Sequence, residues 1–126
     1  MNSYGKHLIL DLFECDITVN DRPHLANFFI GITDRIGMER AVDPITGKNL
    51  AMYWTEGDPN LPAHLIGTSG VQFIRTSNII VHTLTELETV YIDIFSCKDF
   101  SSQDAVRYCK AFFGGKIQNS IVLERG

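Results

Sequence analysis

With 126 residues, 44% of them hydrophobic, the chain has the size and composition of one soluble domain, long enough to bury a core without disulfide or metal staples. A net charge of -4 and a pI near 5.4 leave no footprint for nucleic acid or an anionic membrane surface. The early apolar stretch Leu8-Ile-Leu-Asp11-Leu-Phe13 is too short to span a bilayer and too acidic for a signal peptide, so the cytoplasm is the expected compartment.

Residues 7–13 read as a strand with an acid in its middle. Asp21 then caps a helix with Pro23 in its first turn, where a missing N–H costs little. Leu25, Phe28, Phe29, Ile32 and Ile36 recur at helical spacing over 22–36, and Gly37 is the natural stop. Segment 41–63 is rich in Pro, Gly and Asp turns, with one short strand at 50–54. From Val71 onward the pattern changes to strands at 71–75, 79–82 and 89–95. The last alternates Val90, Ile92 and Ile94 against Tyr91, Asp93 and Phe95. Ser101 to Asp104 is a capping-box pattern opening a second helix, 102–113, with Ala105, Val106, Cys109 and Phe112 or Phe113 as its stripe. Gly114-Gly115 ends it, and 120–123 is a last strand.

No linker, repeat or low-complexity tract divides residues 1–126, which read as a single domain. Two helices and several hairpin-spaced strands predict an α+β fold: a two-layer α/β sandwich whose mainly antiparallel sheet carries both helices on one face. The other face must be polar or find a partner. Trp54, Tyr91 and Phe95 favour a partner, and a homodimer is expected.

Cys15, Cys97 and Cys109 are an odd, unclustered set, and His7, His24, His64 and His82 are equally scattered. Neither a disulfide framework nor a metal site is expected. More informative is a hydroxyl–imidazole–thiol set on or beside short β segments: Gly67-Thr-Ser69-Gly, Thr76-Ser77-Asn-Ile-Ile-Val-His82 and Asp93-Ile-Phe-Ser-Cys97. Such groups support nucleophile–base chemistry without a metal, including attack by the chain on its own peptide bond. Taken singly, each has a bland reading: Ser77 and Ser69 as turn serines, His82 as a half-buried strand histidine, Cys97 as a core thiol, Glu86 as an exposed loop acid.

Over most of its length the chain resembles the small prokaryotic form of the S-adenosylmethionine decarboxylase proenzyme family. The resemblance is carried by the opening Gly5-Lys-His-Leu-Ile-Leu-Asp-Leu-Phe-Glu-Cys15-Asp and by Gly67-Thr-Ser69-Gly-Val. It continues through Ser77-Asn-Ile-Ile-Val-His82-Thr-Leu-Thr-Glu86 and Tyr91-Ile-Asp93-Ile-Phe-Ser-Cys97, and closes at Arg125-Gly126. It implies self-cleavage between Thr76 and Ser77 by an N→O acyl shift and β-elimination, which turns Ser77 into a pyruvoyl cofactor. It further implies Ser69 and His82 as processing residues, Cys97 as the proton donor in decarboxylation, and Glu86 as the ligand of the substrate ribose. The chemistry suits those roles, since a ketone conjugated to an amide accepts the electrons released as carbon dioxide leaves.

The chain departs from the family pattern in four places. Thr76-Ser77-Asn78 stands where the family has Glu-Ser-His, removing a negative charge and a titratable ring while keeping the nucleophile. Leu84-Thr85 replaces a tryptophan-proline pair before Glu86. Ala63 stands six residues before Ser69, where the family has an adenine-stacking phenylalanine, a loss worth about 1–3 kcal/mol on the base-stacking scale. His64, Tyr91 and Phe13 are the rings that remain. The expected function is pyruvoyl-dependent decarboxylation of S-adenosylmethionine to the aminopropyl donor for spermidine synthesis. The alternatives are the same cofactor acting on arginine or ornithine, and an uncleaved, non-catalytic homologue that binds a metabolite or partner. A small-molecule substrate is expected, with no nucleic acid and no membrane.

Overall fold

A computed structural model describes residues 3–126. Its elements in order are β1 (Gly5–Cys15), α1 (Arg22–Arg35), β2 (Ala51–Glu56), β3 (Gly67–Ile74), β4 (Ser77–Leu84), β5 (Thr89–Ser96), α2 (Ser102–Phe113) and β6 (Gly114–Arg125), with short 3-10 turns at Ile17–Val19 and Ala63–Leu65. The six strands form one sheet in the order β2-β3-β4-β5-β1-β6, every neighbouring pair antiparallel. Both helices contribute to one core with the sheet, as the α+β sandwich expectation required.

The helices start where their caps are. The Asp21 carboxylate accepts from the His24 amide at 3.0 Å, and the Ser101 hydroxyl accepts from the Asp104 amide at 3.1 Å. Each satisfies a donor the first helical turn leaves open. Leu25, Phe28, Phe29 and Ile32 of α1 and Ala105, Cys109 and Phe113 of α2 are buried with Leu8, Leu10, Leu12, Ile79, Val81, Val90, Ile92 and Ile94 of the sheet. Strand alternation does the sorting, because residues two apart share a face.

All six strands differ somewhat in their bounds from expectation, and three of the differences bear on the site. Gly67-Thr-Ser-Gly, which reads as a turn, is the first half of β3, paired with β2 throughout and with β4 from Ser69 onward. Ser77 opens β4, leaving only Arg75 and Thr76 as the turn between β3 and β4. β6 runs 12 residues instead of four and begins directly at the end of α2. Gly114 and Gly115 make that passage with φ of 69° and 78°, and a Cβ on Gly115 would sit 2.5 Å from the Phe13 carbonyl oxygen. The glycine pair therefore redirects the chain instead of releasing it into a loop.

The uncovered face is only partly polar. Met52, Trp54, Phe73, Tyr91, Ile121 and Leu123 stand exposed, and the strand registers place them all on it. No helix among the described residues is long and apolar enough to cross a membrane.

Candidate active site

The strand registers assemble one row across the uncovered face. Trp54 lies opposite Ser69, Ser69 opposite His82, His82 opposite Tyr91, Tyr91 opposite Asp11, and Asp11 opposite Asn119. Within the row the Ser69 hydroxyl and His82 Nδ1 are 2.7 Å apart, and the Asn119 amide donates to the Asp11 carboxylate at 3.0 Å. A cavity of about 650 Å³ opens beside the first four members, with Glu56, His64 and Leu84 also on its wall.

Ser77 and Cys97 form a second cluster at the far end of β4, where the chain turns out of β3 and leaves β5. Ser77 is buried and faces the helices. Its hydroxyl accepts from the Cys97 amide at 3.1 Å and lies 3.8 Å from the Cys97 sulfur. The Thr76 hydroxyl is 3.0 Å from the same sulfur. Hydrogen bonding with Thr76, and then with Ser77, holds the Cys97 thiol below its ordinary value. Burial pushes the other two cysteines the opposite way, Cys15 to about 11 and Cys109 higher still. A smaller cavity of about 240 Å³ adjoins this cluster, lined by Met38, Glu39, Thr76, Ser77, Cys97 and Lys98 among others.

The four expected catalytic residues thus fall into two pairs, Ser69 with His82 and Ser77 with Cys97. Ser77 and His82 are five positions apart along β4, about 16 Å of extended chain, and an odd spacing puts their side chains on opposite faces. That much was readable from spacing once both lay in one strand. Glu86 is exposed in the 85–88 turn and does not reach the cavity wall, although Leu84 does. Ala63 does not line the cavity either. His64 does, because residues 63–65 form a 3-10 turn rather than the extended run that would have pointed it away. Tyr91 also lines it, and Phe13 does not. Trp54 and Glu56 carry no local signal for the site, because the register that sets Trp54 against Ser69 is tertiary. No group of three or more His, Cys, Asp and Glu side chains among the described residues is placed to hold a metal ion.

An antiparallel sheet under two helices, with serine and threonine hydroxyls at a tight hairpin beside a thiol, defines a small α+β protein. The profile of the S-adenosylmethionine decarboxylase family matches residues 6–126, and the chain belongs to that family, in its small prokaryotic proenzyme form. It is 28% identical over 128 aligned positions to S-adenosylmethionine decarboxylase proenzyme 1 of Bacillus cereus, covering 100% of this chain and 87% of that one. The proenzyme of a Thermoanaerobacter species is 25% identical, with 100% and 91% covered. A crystal structure of the adenosylmethionine decarboxylase from Aquifex aeolicus has the same fold, at a TM-score of 0.78 and 21% identity over 100% of this chain and 93% of that one.

Proposed function

We propose that this chain cleaves itself between Thr76 and Ser77 and, with the pyruvoyl group so formed, decarboxylates S-adenosylmethionine for polyamine synthesis. The observation that carries the reading is the Ser77–Cys97 pair. A buried serine hydroxyl sits at the head of a strand, oriented by the Cys97 amide and next to a thiol with a lowered pKa. Residue 77 adjoins a cavity of about 240 Å³, so the site has room for the keto group that would replace the serine side chain. When present, that group supplies an electron sink for the leaving carboxylate. Cys97 then serves as a proton donor one strand away, a role that needs proximity rather than nucleophilicity.

Ser69 and His82 belong to the same reaction in a dimer. His82 lies about 16 Å along β4 from Ser77 of its own chain, whereas Ser77 and the part-exposed Cys97 sit at the β3–β4 hairpin end of the sheet, open to approach from a second copy. His82 itself lies on the exposed apolar face that a second copy would cover. In a two-copy assembly each reaction centre takes Ser77 and Cys97 from one chain and Ser69 and His82 from the other. The aromatic wall of Trp54, His64 and Tyr91 suits a purine, replacing the ring lost at Ala63.

One observation favours a second substrate reading. Glu56 places a carboxylate on that cavity wall, where it would attract the side chain of arginine or ornithine. Both readings share one first test. Cut after residue 76, the 126-residue chain leaves fragments of 76 and 50 residues, the shorter one carrying pyruvoyl in place of serine. Intact-mass measurement of purified protein over days, with and without hydroxylamine, should show them. A single unchanged mass sinks both enzyme readings in favour of a non-catalytic homologue. On cleaved protein, carbon dioxide released from S-adenosylmethionine, but not from ornithine or arginine, is the expected outcome; the reverse pattern selects the second substrate.

A further inference from the structure

We propose that Thr76 is a positioning residue for self-cleavage: its left-handed backbone strains the turn that holds the Thr76–Ser77 bond, and release of that strain drives the acyl shift. This rests on the self-cleavage reading above and adds the device that powers it. Thr76 is the second of only two residues joining β3 to β4, and its φ is 54°. There the Cβ of an L-residue crowds its own backbone, so glycine and asparagine are the usual occupants and a β-branched residue is a marked outlier. Glu14 at 57° and Glu88 at 51° share the region, but neither is β-branched and neither adjoins the bond to be cut.

The surroundings keep the turn from relaxing. Ile74 and Ser77 are paired across the hairpin, so the turn has no slack in length. The Thr76 hydroxyl donates to the Arg75 carbonyl at 2.7 Å and contacts the Cys97 sulfur, while the Cys97 amide holds the Ser77 hydroxyl. Backbone outliers that persist under such constraints concentrate at reacting sites.

The chemistry has a use for the strain. The Ser77 oxygen attacks the Thr76 carbonyl carbon; a C–O bond forms, the C–N bond breaks, and the hydroxyl proton ends on the freed amine. An ester has replaced a more stable amide, so the step runs uphill unless something else relaxes. The ester route through Cβ and Oγ lengthens the connection across the turn and frees Thr76 from the left-handed region. Elimination then removes the Ser77 Cα proton and breaks the Cβ–Oγ bond, leaving Thr76 as a carboxylate. Water converts the remaining unsaturated amine into the keto group and ammonia.

Strain of this kind makes stability and rate move in opposite directions, which a merely structural turn would not do. Thr76→Gly and Thr76→Asn relieve it, and each should cleave about ten-fold more slowly by intact mass. In a Ser77→Ala background, which cannot cleave, the same two changes should raise the melting temperature by roughly 3 °C or more. Thr76→Ser keeps the hydroxyl and drops the branch, so it should also cleave more slowly than wild type and gain stability, by less than Gly. Gly and Asn variants that cleave as fast as wild type, or that melt lower, overturn the proposal while leaving self-cleavage intact. So does a Ser variant that cleaves as fast as wild type, since the hydroxyl and not the backbone would then be responsible. A wild-type chain that never cleaves overturns this proposal together with the reading it rests on.

Discussion

The Cys97 thiol is the residue whose environment differs most from what its position in the sequence suggests. On an alternating strand it reads as a packed core group, yet it is part-exposed, just past the end of β5, between two hydroxyls. Hydrogen bonding with Thr76, and then with Ser77, lowers its pKa. For an acid held low in the folded state, the favourable contribution is present above the unfolded thiol value and is lost as pH falls through the folded one. Alkylation of Cys97 in the uncleaved chain, followed against pH, should therefore have its midpoint below the ordinary thiol value of about 8.5. Thr76→Val should move that midpoint upward. Cys15 and Cys109 are buried and should react only on unfolding, which makes the measurement site-selective. A midpoint at or above the ordinary value would remove the Thr76–Cys97 contact from the account.

Among the elements, the helices were legible almost to the residue and the edge strand was not. α1 and α2 announce themselves through caps, a 3.6-residue stripe and terminal glycines, all local signals. β6 offers no alternation, because its residues are exposed along most of its length and Lys116, Gln118 and Asn119 need no partner in a core. What makes it a strand is the waiting edge of β1, and that is tertiary information. Gly67-Thr-Ser-Gly has turn composition but is bracketed by β2 and β4, whose ladders override its local preference. The helix layer depends on a cluster of rings around Phe28, whose centroid lies 4.8 Å from Phe113, 5.2 Å from Phe112 and 5.8 Å from Phe29. Phe28 is fully buried, so Phe28→Ala should lose about 3–5 kcal/mol in chemical denaturation. A loss below about 1 kcal/mol would mean that the helices are not held against the sheet through this cluster.

On the scale of the whole molecule, Ser69 and His82 form one cluster and Ser77 and Cys97 another, on opposite faces of the sheet. If two copies complete each other, variants that each fail alone should rescue one another when mixed. Ser77→Ala chains supply Ser69 and His82 but have no bond to cut through Ser77. His82→Ala chains supply Ser77 and Cys97 but lack the imidazole. Co-expressed, they form some centres with all four groups, and the His82→Ala chain should then cleave, seen as its own fragments by mass. Absence of cleavage in the mixture, with the wild type cleaving normally, would show that each chain processes itself unaided. Sedimentation at a monomer mass across micromolar concentrations would remove the partner altogether.

By itself, the sequence determined the α+β class, both helices and their shared face, and the alternation of β5. Those follow from periods of 3.6 and 2 and from capping chemistry, all local in the chain, while Ser69, Ser77, His82 and Cys97 stand out through the family resemblance. Only the tertiary structure decided that these four groups form two separated pairs. It also decided that Trp54 stands opposite Ser69, and that Thr76 occupies a left-handed turn against a thiol 21 residues away. Register between strands and the closing of a two-residue hairpin are set by the sum of contacts across the whole sheet, and no short stretch of the chain carries that sum.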